Sequence, residues 1–412
     1  MSGQIKGESG GAWKSYEEIS AGLSPKERAS ELKRRRIGLI LGPLLFIIFL
    51  IMPPPEGLTF ASNLAAGITL WTMVWWVCEP IPMPATSILV AALFVIFQVI
   101  PANTAFSQLG HTNTWVLLGT FIFMNSLVKH GFTTRAAYWI LSLPVGKKGP
   151  YALLSLYIGA ICILSCFLSN MATTMLFLVI SHGMIEALKI NSSHPMAKAM
   201  RLGAAYGSQA GGFGTPMGAA GTNFLAIGLI VSLTGFQFTV ADWMKIGIPF
   251  MLVMMIVLFI YFRLYFKFEL PNYEEAHNYS KSQLKALGPM SRGEKMAVII
   301  TLAVMIGWLL PGILSTVWGR DSSVYAAVNS VFNSAAVSII GGVLCFLVPV
   351  DRKEHKYVMT WTEANRYIDW GALLLVSAGL IMAAALRAEN VGILSYITES
   401  VGNVLGDTSP FI

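Results

Sequence analysis

Ser165, Ser169, Asn170, Thr173 and Thr174 lie close together in a stretch without a single formal charge. A second concentration of small and polar residues follows in Gly211-Gly212-Phe213-Gly214-Thr215-Pro216-Met217-Gly218-Ala219-Ala220-Gly221-Thr222-Asn223. Hydroxyls, side-chain amides and carbonyls freed from a helix are hard oxygen donors, the kind that hold small cations. The chemistry these residues suit is therefore ion coordination. Catalysis is a poor fit: His111, His130 and His194 fall in loops and His182 near a helix end, and no HExxH, GxSxG or Walker A pattern occurs. The chain is read as no enzyme, with no cofactor beyond a coupling ion. Cys78, Cys162, Cys166 and Cys345 sit in or beside apolar runs and read as buried apolar thiols. The four-residue step from Cys162 to Cys166 suits one helix face rather than a CxxC metal clip.

The elements that carry the two clusters are unusual. Gly149 to Ile185 contains no Asp, Glu, Lys or Arg. One straight helix of that length would run about 55 Å, well beyond a hydrocarbon core of about 30 Å. A polar knot, Leu164-Ser165-Cys166-Phe167-Leu168-Ser169-Asn170-Met171-Ala172-Thr173-Thr174, divides it into two apolar arms. This pattern predicts a re-entrant hairpin over 149–185 with its tip near the membrane midplane, where irregular backbone is tolerated only inside protein or beside water. The first arm would end near Ser165 in free carbonyls, suited to a cation. The second would begin near Met171 in free N–H groups, suited to an anion. Ser169 and Asn170 are good N-cap residues as well as oxygen ligands. Small polar residues also suit close helix packing, and that alternative stays open. The second uncharged stretch, 202–240, holds five glycines and a proline at its middle and is read as a broken span: half-helix, unwound loop, half-helix. Thr215, Thr222 and Asn223 are its candidate ligand-facing side chains.

Composition sets the class. Of the 412 residues 55% are hydrophobic and 12% charged, and the mean hydropathy is +0.64. A soluble domain carries about twice that charge, so the fold class is an all-α polytopic membrane protein. The net charge of +7 reads as a topology signal, because no basic stripe interleaved with aromatics suggests a nucleic-acid partner. Residues 1–36 form a polar segment ending in Lys33-Arg34-Arg35-Arg36, which places the N-terminus in the cytoplasm. A capping box at Ser24-Pro25-Lys26-Glu27 starts a short helix that ends at this cluster. Residues 37–266 hold the first span and a first repeat, 267–295 a cytoplasmic loop, and 296–412 a second repeat. Glu79 ends span two and caps the turn at Pro80-Ile81-Pro82. Counted this way, the basic short loops all fall on the cytoplasmic side of the membrane.

Thr114-Trp115-Val116-Leu117-Leu118-Gly119 and Asp369-Trp370-Gly371-Ala372-Leu373-Leu374-Leu375 begin matching spans of opposite direction, an inverted repeat. The position matching Ser169 in the second repeat would fall beyond Ile412. The expectation is thus an inverted-repeat transporter architecture whose second repeat is incomplete in this chain. An anion held at the midplane, with no Lys or Arg in either polar stretch, needs helix N-termini, hydroxyls and a co-bound cation, which points to cation-coupled transport.

At these residues the chain resembles the divalent anion/sodium symporter family, carriers of dicarboxylates, citrate or sulfate. Trp75-Trp76-Val77-Cys78-Glu79-Pro80-Ile81-Pro82-Met83-Pro84 is similar to its "WW-x-T-E-A-I-P-x-P" signature, departing at Cys78 and Pro80. Ser169-Asn170-Met171-Ala172-Thr173-Thr174 resembles the tip motif "S-N-T-A-T-T", with Met171 in place of a threonine. Gly212-Phe213-Gly214-Thr215-Pro216-Met217-Gly218 resembles the unwound "G-x-x-T-P-x-G" loop, and Asn223 its closing Asn. Trp361-Thr362-Glu363-Ala364 and Asp369-Trp370-Gly371 resemble the entry to the second repeat. The resemblance implies a homodimer in the cytoplasmic (cell inner) membrane, with a scaffold and an elevator-like transport domain. It implies that Ser165, Ser169, Asn170 and the carbonyls of Gly212, Gly214 and Gly218 hold Na+. It also implies that Ser169 and Asn170 help hold a substrate carboxylate, with Thr173, Thr215 and Asn223 as further substrate contacts. The expected function is secondary transport of a small divalent anion, a dicarboxylate, tricarboxylate or sulfate, coupled to Na+. Two alternatives stay open: an ion-transporter relative such as a cation/proton antiporter or arsenite exporter, which Met171 favours, and a non-transporting or truncated membrane protein.

Overall fold

The computed structural model describes residues 23–235 and 238–396. Its helices, in chain order, are α1 (Pro25–Ile51), α2 (Phe60–Cys78), α3 (Met83–Ile96), α4 (Ala102–Ser107), α5 (Thr112–Lys129), α6 (Phe132–Leu141), α7 (Pro150–Ser165), α8 (Asn170–Ala187) and α9 (Pro195–Gly212). They continue with α10 (Ala220–Thr234), α11 (Val240–Tyr265), α12 (Glu274–Ala286), α13 (Arg292–Trp318), α14 (Ser323–Val331) and α15 (Ser334–Leu347). A short antiparallel pair, β1 (Pro349–Asp351) and β2 (Lys356–Tyr357), precedes α16 (Trp361–Tyr367) and α17 (Trp370–Arg387). This is an all-α polytopic membrane fold.

Among the described residues, five helical segments are long and apolar enough to cross a membrane: Phe60–Cys78, Val240–Tyr265, Arg292–Trp318, Ser323–Leu347 and Trp370–Arg387. Three shorter apolar helices, Met83–Ile96, Pro150–Ser165 and Ala220–Ser232, are below that length. Two of the three belong to the stretches whose composition predicts interrupted spans. The segment Ser323–Leu347 is itself interrupted at Phe332 and Asn333, where Asn333 caps α15 by accepting from the Ala335 N–H at 2.9 Å. At the N-terminal end the structure differs from the sequence expectation of a short helix stopping at Arg36. The Ser24/Glu27 capping box is formed, but α1 runs on through the apolar stretch to Ile51, because no capping or breaking residue separates Arg36 from Ile37.

The chain divides into two compact units. One holds residues 23–114, 225–235 and 369–396. Its core gathers Phe46, Ile68 and Phe94 with Ala378, Ala385 and Val391. Glu79, the C-cap of α2, takes a left-handed conformation with φ 48° and receives Arg34 Nη2 at 3.3 Å.

The other unit holds residues 115–224 and 238–368. Its core is built on Tyr157, Ile161, Phe177, Met200 and Phe262. Trp308 of α13 donates to Ser334 O at 3.0 Å and Ser338 Oγ at 3.1 Å, tying α13 to α15. The junction of α5 and α6 is an ionic hub. Lys129 Nζ reaches Glu363 Oε2 at 2.7 Å and Val358 O at 3.0 Å, and Arg135 Nε reaches Glu294 Oε1 at 2.8 Å. Arg135 also donates to Gly288 O at 2.7 Å, so one guanidinium fixes the approach to α13.

Candidate functional site

The chain doubles back between α7 and α8. Tyr157, before the turn, donates through its hydroxyl to Phe177 O, after it, at 2.8 Å, and the two rings meet edge-on with centroids 5.4 Å apart. The turn is Cys166–Ser169. The Phe167 and Leu168 N–H groups bond back to Leu164 O at 3.1 and 3.0 Å, closing α7 tightly. Ser169 then opens α8 as its N-cap, accepting from Ala172 N–H at 3.2 Å. Thr174, one turn in, donates back to Asn170 O at 2.8 Å and meets Ser208 Oγ of α9 at 2.6 Å.

The glycine-rich stretch is unwound from Phe213 to Ala219, between α9 and α10. Asn223, 2% exposed, staples the break: its amide nitrogen donates to Gly212 O at 2.8 Å and Thr215 O at 3.0 Å. The Thr215 hydroxyl donates to Cys166 O, joining the unwound loop to the turn. Close approach requires glycine here. A Cβ on Gly218 would collide with the Ser165 carbonyl, and one on Gly212 would collide with the Asn170 amide.

Where the turn meets the loop, oxygens converge. The inward end of the Asn170 amide lies 2.9 Å from Ser165 Oγ, 2.9 Å from Ser208 O and 3.3 Å from Gly218 O. Ser165 Oγ itself donates to Ser208 O at 2.8 Å and is fully buried. The outward end of the amide faces Gln209 Oε1 at 2.8 Å. With no cation bound, the partners favour the amide nitrogen inward; a cation would turn the oxygen inward instead. With nitrogen inward, it donates to the two carbonyls. With oxygen inward, it joins Ser165 Oγ, Ser208 O and Gly218 O in a cluster of four oxygens, at separations that suit a shared hard cation. These residues fit a Na+ ligand set on that ground.

The sequence-predicted residues divide clearly. Ser165, Asn170 and Gly218 are brought together. Ser169 is exposed at the turn beside them, its hydroxyl serving as the cap of α8. Gly212 lies against the Asn170 amide, but its carbonyl is taken by Asn223 and by the Ala219 N–H at 3.2 Å. Gly214 sits against Cys166 and Met251 sulfurs instead. Thr215 spends its hydroxyl on the Cys166 carbonyl of the turn, and Asn223 spends its amide nitrogen within the loop. Thr173 is fully buried, and its hydroxyl has no hydrogen-bond partner. Ser208 and Gln209 were missed. Their signal was a polar pair in an uncharged stretch, one turn before the glycines. Met171 at the turn is 73% exposed. Among the described residues no cluster of His, Cys, Asp or Glu suits a transition metal.

Residues 33–412 match the family model described as "Sodium:sulfate symporter transmembrane region". The sodium-dependent dicarboxylate transporter SdcS of Staphylococcus saprophyticus is 30% identical over 397 residues, which cover 94% of this chain and 74% of that protein. The protein of the same name from Staphylococcus aureus strain USA300 is 29% identical over 386 residues, covering 91% of this chain and 71% of its own length.

Proposed function

The chain belongs to the sodium:sulfate symporter family, and from that premise we propose that it carries a small dicarboxylate across the cell membrane with Na+. The observation that carries this reading is the convergence of Ser165 Oγ and the Ser208 and Gly218 carbonyls on the inward end of the Asn170 amide, where the turn meets the unwound loop. Na+ binds there with the Asn170 amide oxygen turned inward. The neighbouring start of α8 offers the N–H groups of Asn170 and Met171 and the Ser169 hydroxyl to one substrate carboxylate. Charge couples the two events. The cation lowers the cost of bringing a carboxylate out of water, and each ligand favours the other.

In this reading the turn is the tip of a re-entrant hairpin, the N-terminus is cytoplasmic, and the protein works as a homodimer. Met171 places a thioether at the turn where the resembling motif carries a hydroxyl, so substrate contact from this side falls to Ser169 and Asn170.

Uptake of labelled succinate into proteoliposomes, with sulfate and citrate as competitors, tests the proposal. An inward Na+ gradient should drive accumulation that a K+ gradient does not, and Asn170→Ala should abolish it. Accumulation driven equally by a proton gradient without Na+ would overturn the sodium assignment, and no uptake of any of the three anions under either gradient would favour the antiporter-like alternative.

A further inference from the structure

The strongest feature outside the proposed transport site is a basic cleft at the far end of α9. It has a volume of about 580 Å³ and is lined by Pro195, Lys198, Arg201 and Leu202 from the start of α9 and by Tyr265, Phe266 and Lys267 where α11 ends. Lys198, Arg201 and Leu202 follow at i, i+3 and i+4, so one helix face presents two cations beside an apolar side chain. Lys267 supplies a third cation from the other wall. Among the described residues, none of the three forms an ion pair. Arg201 spends its guanidinium on the Ser192 carbonyl at 3.3 Å and the Ser192 hydroxyl at 3.1 Å, both uncharged partners. The cleft is held in shape by its floor: Phe266 is 7% exposed, and its carbonyl accepts from Tyr151 Oη at 3.0 Å.

Three like charges around one cleft repel unless an anion neutralises them. The apolar surroundings indicate which anion. Beside the column of Tyr261 and Tyr265, α11 carries an exposed apolar column formed by Ile256, Ile260 and Leu264, which are 54%, 50% and 70% exposed. Only 17% of the most apolar stretch of this helix is buried within the protein. In a membrane-spanning helix that column faces acyl chains. Tyr261 and Tyr265 stack at 5.5 Å at its end, where amphipathic rings favour the boundary between tails and headgroups. A free inorganic anion would use the cations and leave the column without a role; a phospholipid would use both.

We propose that this cleft binds an anionic membrane phospholipid, its headgroup phosphate held by Lys198, Arg201 and Lys267 and its acyl chains lying along Ile256, Ile260 and Leu264. Basic pockets at the cytoplasmic ends of spanning helices recognise lipid headgroups by this combination. The site is separate from the cation cluster, although α9 runs from the cleft to Ser208 and Gln209.

The test is the melting temperature of delipidated protein in neutral detergent. Added phosphatidylglycerol should raise it by more than phosphatidylcholine does, and inorganic phosphate alone should not reproduce the increment. In the triple variant Lys198→Gln/Arg201→Gln/Lys267→Gln the increment should fall by at least half, with the melting temperature in phosphatidylcholine unchanged. Retention of more than half, or an equal rise with inorganic phosphate, overturns the proposal. Should the triple variant fail to fold, native mass spectrometry of Lys198→Gln and Lys267→Gln replaces it. Each should bind phosphatidylglycerol roughly fivefold more weakly; unchanged affinity in both overturns the proposal.

Discussion

At Asn170 a single amide decides between two hydrogen-bonding states, and the difference is measurable. If its oxygen joins the Ser165, Ser208 and Gly218 oxygens around Na+, the folded state gains stability by mass action, about 2.7 kcal/mol at a Na+ concentration 100-fold above the dissociation constant. Asn170→Ala should remove the Na+-dependent rise in melting temperature. An undiminished rise in the variant would show that the cation binds elsewhere. Ser208 separates carbonyl from side chain. Its carbonyl faces Asn170, while its hydroxyl meets Thr174 at 2.6 Å and donates to Ala205 O at 2.9 Å. Ser208→Ala should therefore cost about 1 kcal/mol of stability in a denaturant titration and leave the Na+ dependence intact. Thr173 poses the opposite case. Its buried hydroxyl lacks a partner, so Thr173→Val should not lower the melting temperature, because it removes an unsatisfied polar group.

Between elements, Arg135 and Glu294 join α6 to the start of α13 with side chains only 14% and 6% exposed. Removing one partner leaves a charge buried without compensation, at a cost of about 3–5 kcal/mol. Arg135→Met should therefore destabilise strongly, and Arg135→Met with Glu294→Gln should recover part of the loss in a double-mutant cycle. The Lys129–Glu363 pair adds a pH dependence. Burial raises the Glu363 carboxyl, but hydrogen bonds from Lys129 and from the Thr360 N–H and hydroxyl outweigh it and hold the group below the usual carboxylate range. Its contribution is present above the unfolded pKa and is lost as pH falls through the lower folded value. The melting temperatures of the protein and of Glu363→Gln should converge as pH drops below about 4. A gap that stays constant from pH 7 to pH 3 would remove Glu363 from the account.

For the whole molecule, orientation is the open quantity that the basic loops address. Lys285 on α12 is exposed and lies in the stretch read as cytoplasmic. In a cysteine-free background, Lys285→Cys should react with an impermeant maleimide only after the membrane is opened; labelling in intact cells would reverse the topology.

Hydropathy, helix breaking and capping are local properties, and they made much of this protein legible without coordinates. Absence of charge over Gly149 to Ile185, with the polar knot at its middle, anticipated the division into α7 and α8. Five glycines and Pro216 anticipated the unwinding between α9 and α10, because a helix cannot run through them cheaply. The Ser24 and Glu27 spacing anticipated the first capping box. What spacing along the chain could not supply was which oxygens of the two stretches face each other. Thr215 and Asn223 look like ligands in sequence because hydroxyls and amides are ligand types, yet folding commits the first to the Cys166 carbonyl of the turn and the second to the loop's own backbone. Ser208 enters the cluster through its carbonyl, an atom every residue carries, so its side chain announces nothing. Gly218 joins through its carbonyl too, and its glycine identity reflects the approach of the Ser165 carbonyl from a distant helix. The oxygen-bearing residues were written in the composition of two short stretches; which of their oxygens meet was decided by packing, since only the tertiary fold sets distances between atoms remote in sequence.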